Sequence, residues 1–319
     1  MALSNGAGNM FQMKLIKKLK TSYEIVMSND NRYLCHTMGS KTIVYDTYSW
    51  EKVIELPKPK HPGYIKFSQD GQWFYIKNTT GTICAYNTSD FQLYRTIQSR
   101  KSFQTVEVNF EIMENPLIIL DTININNSKQ IAIFNIETGE YHVLTDLDST
   151  HITYHQFIQN KNSYLFTVSN LDENDNVEQS ILFVSNPLTN PLISIWKLPD
   201  ILLWDSIIYD PVHNVYIMVN RYELIFFESD LKTILRKEKF IDKEKLNVME
   251  IFYHIHVSND GNFIVITFSQ RVLILRFDDL SPIFVEEIPD ACFAEFSKND
   301  KYLLVGTWSN GFVFENNLK

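Results

Sequence analysis

Short apolar runs alternate with short polar punctuation along most of this chain, and the punctuation repeats. The clearest unit is Phe67-Ser68-Gln69-Asp70-Gly71-Gln72-Trp73-Phe74-Tyr75-Ile76. Three more align with it without a gap: Met27 to Leu34, Val257 to Ile266 and Phe296 to Val305. Each reads apolar residue, Ser, two polar residues, Gly/Asn/Asp, one polar residue, then an aromatic opening a second apolar run. Asp, Asn and Gly tolerate the left-handed backbone angles of a tight hairpin turn. The flanking runs are rich in Ile, Val, Phe and Tyr, as strands are. The Ser is placed to hydrogen-bond into the turn backbone. Each unit therefore predicts a hairpin.

Weaker copies fill the interval. Ile158 to Phe166 fits the template, Ile208 to Ile217 fits with one extra residue, and Phe110 to Leu120 fits poorly, with Asn115-Pro116 as its turn. That makes seven hairpins. Ser28 and Ser297 lie 269 residues apart, so six steps average about 45 residues, the length of a propeller blade. A third strand follows each hairpin, and several end in an aromatic plus Asp or Asn: Tyr45-Asp46, Tyr86-Asn87, Phe134-Asn135, Phe277-Asp278. More polar fourth strands are predicted over 52–56, 93–97, 193–198, 233–240 and 283–288.

The expected fold is thus all-β, a seven-bladed β-propeller of four-stranded antiparallel blades. The last repeat has only three strands. The alternating segment Phe11 to Leu19 is expected to supply the fourth, so that an N-terminal strand closes the last blade and removes an open edge. Residues 1–10 are expected to be a flexible N-terminus and 11–319 a single domain.

On its Ser-x-Asp-Gly hairpins and aromatic-Asp/Asn strand ends, the chain resembles the WD40 and YVTN-like β-propeller superfamily over residues 11 to 319. No Gly-His dipeptide occurs, and the one Trp-Asp, Trp204-Asp205, precedes a first strand. The resemblance implies a protein-interaction platform.

Composition narrows the partner. A net charge of −9 argues against nucleic acid, whose phosphates need a clustered basic surface. No apolar run reaches the ~18 residues that span a membrane, and the first ten residues lack a signal peptide's charged head and apolar stretch; a cytoplasmic monomer is expected. Cys35, Cys84 and Cys292 are odd in number and widely spaced, so neither a disulfide framework nor a zinc site is expected, and all three are expected to be buried.

A propeller of this kind uses its top face, formed by the turns between second and third strands and the links between blades. Lys41, Gly81, Lys129, Arg221, Arg271 and Trp308 fall on such turns. Lys58, Lys60, His61, Arg100, Lys101, His151, Trp204 and His254 fall on such links. The expected partner-binding set is Lys60, His61, Arg100, Lys101, Trp204, Arg221, Arg271 and Trp308. Arg and Trp anchor interfaces, and a basic patch on an acidic chain suits an acidic protein or peptide.

His254-Ile255-His256 sets two imidazoles on one strand face, with His151 and His155 elsewhere. Without carboxylates at ligand spacing these read as structural or surface histidines, and no metal or cofactor is expected. The acidic stretch Asn170 to Ser180 lacks calcium-loop spacing and reads as a solvated loop. No nucleophile elbow, phosphate loop or zinc-protease motif occurs. Two functions stay open: a non-catalytic binding scaffold, or a propeller-type small-molecule hydrolase or lactonase with its site at the channel mouth.

Overall fold

The computed structural model describes residues 13–20, 23–98, 104–105, 109–113, 115–145, 147, 151–171, 176–198, 201, 203–242 and 250–318. It forms seven antiparallel sheets, each a blade of four strands running outward from a common axis. Blade two shows the pattern: inner strand Pro62–Phe67, then Trp73–Asn78, Ile83–Asn87 and the outer Leu93–Ile97. Blade three departs from it, because its inner strand is split into Gln104–Thr105 and Glu111–Ile112, both paired with Ile118–Ile125. Its outer strand, Tyr141–Val143, has no counterpart in the sequence reading.

The repeated hairpins form as their chemistry requires. Ser28 Oγ donates to Asp30 Oδ1 at 2.6 Å and accepts from the Tyr33 N–H at 2.9 Å. Ser258 does the same with Asp260 and Phe263, and Ser297 with Asn299 and Tyr302. Gly71 and Gly261 take φ of 69° and 77° at the turn, where a Cβ would be strained. The fourth strands Lys52–Leu56 and Leu93–Ile97 have the expected bounds, and three others shift by one or two residues. One expected strand end is misplaced. Phe263 pairs with Arg276 as Trp73 pairs with Asn87, so Phe277-Asp278 lies past the end of its strand.

The core lies between the blades. Seven clusters of buried side chains each join one blade to the next, and the seventh, with Leu19, Ile25 and Phe293, joins blade seven to blade one. Phe263 (4% exposed) packs against Phe296 of the next blade, and Tyr302 meets Trp50 edge-on at 6.0 Å. Closure runs through Lys14–Lys20, which pairs antiparallel with Asn310–Glu315 and completes blade seven. Residues 1–10 lie outside the described residues. No helix among the described residues is long and apolar enough to cross a membrane.

Candidate functional site

The inner strands all run from the top face to the bottom face and enclose a channel of about 710 Å³. Four of them carry a bulge, leaving Gly63, His155, Tyr253 and Cys292 each without a partner residue in the neighbouring strand. A bulge re-aims side chains, and the last three of these residues line the channel. The bulge at His155 breaks the two-residue alternation along its strand. His254 and His256 keep theirs and face the channel together. Cys292, expected to be buried, is half-buried, and burial with nearby Asp290 and Glu24 pushes its thiol up to about 12.

Charged groups on separate inner strands converge here. His254 Nε2 donates to Glu295 Oε1 at 3.2 Å. Burial disfavours the Glu295 carboxylate, but the His254 hydrogen bond and the neighbouring positive charges outweigh it and hold the group at about 2. Glu24 goes the other way: burial, and then the charge of Glu295, lift it well above the usual carboxylate range. Burial, reinforced by His254, lowers His155 to about 4. Burial also lowers His256, against the pull of Glu295. Nearby, Lys66 pairs with Glu111 at 3.1 Å, and the Tyr154 hydroxyl donates to the same carboxylate at 2.5 Å, so one contact chain crosses blades two, three and four. His254 Nδ1 is buried without a hydrogen-bond partner among the described residues. Among those residues no three His, Cys, Asp or Glu side chains form a group able to hold a metal ion.

The top rim is more aromatic than basic. Trp308 is 58% exposed and stacks on Tyr23 at 4.8 Å. Tyr253, Ile251 and Leu203 are exposed on the inner-strand starts and links of blades six and five. Lys60, His61 and Arg221 are exposed as expected. The backbone carbonyl of Lys60 accepts from Asn78 Nδ2 at 3.0 Å, and the Arg221 N–H donates to Asp205 Oδ2 at 2.7 Å. Two residues of the expected set are engaged elsewhere. Arg271 is held by Glu250 through Nε and Nη2 at 3.1 and 2.5 Å. Trp204, 5% exposed, belongs to the core between blades four and five, where its indole N–H donates to Thr167 Oγ1 at 3.4 Å. Its apolar ring is stabilised by burial, which outweighs the surface position its linker suggested. Lys41 is paired with Glu55, and Lys129 Nζ lies 3.3 Å from His151 Nδ1. Arg100 and Lys101 lie outside the described residues.

The sequence reading passed over Glu24, Lys66, Glu111 and Glu295. They are isolated charges in four separate repeats. Lys66, Glu111 and Glu295 lie on inner strands and Glu24 just before one, and that shared place was the available signal. No protein-family model matches the chain, and no curated protein is similar to it in sequence.

Proposed function

We propose that the protein is a non-catalytic scaffold of the WD40-like kind that binds a protein or peptide across its top face, at the mouth of the channel. The observation that carries this reading is the exposed Trp308, held in place by its stack on Tyr23, with the exposed Tyr253 lining the same channel. A large apolar ring fixed at a rim, with polar groups around it, is the composition of an interface anchor. Lys60 and Arg221 add positive charge on loops of the same face, which favours an acidic partner and raises its association rate. Paired baits test the reading: the intact chain, Trp308→Ala, and Tyr48→Ala, which alters an 83% exposed ring on the opposite face. A partner kept by Tyr48→Ala and lost by Trp308→Ala supports it. The reverse pattern places the working surface on the bottom.

One observation favours a second reading, a small-molecule hydrolase or lactonase. Glu24 and Glu295 are pushed in opposite directions inside one cavity, and such a split separates a general acid from a base. A ligand-detected NMR survey with Glu295→Gln as control separates the two. A small ligand lost in that variant favours the second reading, whereas a protein footprint over several blades favours the first.

A further inference from the structure

Each blade ends in an outer strand whose free N–H and C=O groups pair with other strands unless charge, proline, shortness or a bulge prevents it. Six of the seven outer strands carry such protection. Those of blades one, two, five, six and seven contain charged residues and a register irregularity; for example, Lys52–Leu56 holds Lys52 and Glu55, and Ile234–Lys239 holds four charges. Blade three's outer strand has only three residues. Leu192–Trp196 of blade four has none of these protections. It reads Leu-Ile-Ser-Ile-Trp without a charge and pairs with Ile181–Ser185 through five consecutive positions without irregularity. Leu192 is 56% exposed and Ile195 51%.

We propose that two copies of this chain pair through this strand, antiparallel, about a twofold axis at Ser194. The strand is self-complementary about that residue. Ser194 would face itself, Ile193 would face Ile195, and Leu192 would face Trp196. Directly opposed residues share a sheet face, so apolar side chains meet on both faces. Charge does not oppose this pairing. Two chains of net charge −9 repel wherever like charges face each other, and these five positions carry none. The first flanking charge, Lys197, is already paired with Glu178 at 2.7 Å. A twofold contact uses the same patch on both copies and closes at a dimer, and Pro191, which has no N–H, ends the ladder on one side. The dimer replaces the monomer expected from the sequence and leaves both top faces open.

Sedimentation over a dilution series tests this, with twice the single-chain mass expected at the concentrated end. Ile195→Lys should abolish the dimer without changing the melting temperature measured at a dilution where both proteins are single chains. The register has its own test in a Cys292→Ser background. Ser194→Cys should form an intermolecular disulfide on mild oxidation, and Leu192→Cys, which would face Trp196, should not. The proposal is overturned by a single-chain mass at every concentration, by a dimer that survives Ile195→Lys, or by crosslinking through Leu192→Cys but not Ser194→Cys. It is equally overturned if the edge captures an added apolar peptide strand but never a second copy.

Discussion

Lys77 of blade two donates to Asp121 of blade three at 2.6 Å, and neither side chain is exposed at all. The pair sits between two second strands, in the apolar layer that binds the blades together. Asp121 Oδ1 also accepts from the Thr122 N–H at 2.8 Å, while Oδ2 has no hydrogen-bond partner among the described residues. Burial raises the Asp121 carboxyl to about 6 against the opposing pull of Lys77. Removing one member leaves the other charge buried alone, which costs about 3–5 kcal/mol. Asp121→Ala should therefore lower the unfolding free energy by about that amount. The double change Lys77→Met with Asp121→Leu, which fills the same space with apolar atoms, should recover most of the loss. Urea denaturation of the three proteins checks this, and equal losses in the single and double variants would contradict it.

Deleting residues 1–20 removes the strand that completes blade seven and uncovers Asn310–Glu315. It also removes buried Leu19 and Met13 from the core. Ordinary domains have only ~5–15 kcal/mol of net stability, so the melting temperature should fall sharply. An unchanged melting temperature would show that the ring holds without its closing strand.

Gly306 ties the closing blade to the rim. A Cβ built there would collide with the Phe293 ring and lie 2.7 Å from the backbone oxygen of Tyr23. Tyr23, whose backbone meets the added carbon, is the residue that stacks on Trp308. Gly306→Ala should cost about 1–3 kcal/mol by overpacking. It should also weaken any partner held at the rim by more than that loss of stability explains, as binding measured well below the melting temperature would reveal.

Much of this was legible along the chain, and the parts that were not share a cause. The Ser28, Ser68, Ser258 and Ser297 hairpins are local: each turn is specified within about six residues, so sequence alone finds them. The split inner strand of blade three, the bulge at His155 and the burial of Trp204 depend on what neighbouring blades supply. Alternation alone gives no sign of the bulge at His155, where one extra residue in a strand reverses the orientations after it. The Glu24–Glu295–His254 grouping joins residues on blades one, seven and six, which only the closed ring brings together.

His36 and His155 set a pH dependence. Burial lowers both to about 4, below the ordinary value of about 6.5. The unfolded chain therefore binds protons first as pH falls. Stability from these two groups is complete above pH 6.5 and is lost as pH drops toward 4. The Asp121 carboxyl works in the opposite direction: its value is raised to about 6, so its contribution to stability is lost as pH rises from the ordinary carboxylate range to about 6 and changes no further above that. Comparing melting temperatures at pH 7 and pH 4.5 for the intact chain and for His36→Gln with His155→Gln isolates the imidazoles. The variant should show the smaller drop, and an equal drop would remove histidine from the account.

Pairing Lys14 with Glu315 also has a consequence in time. Within blade seven, the outermost strand leaves the ribosome first and its partner last. At bacterial and eukaryotic synthesis rates, roughly 15–60 s pass between the two. For that whole interval Leu15, Ile16 and Leu19 have no sheet to join, and blades one to six can assemble only as an open arc. Joining segments so far apart in sequence is slow even once both exist. The first-made strand is thus the one exposed to misassociation longest, and its four lysines keep it hydrated until the ring can shut.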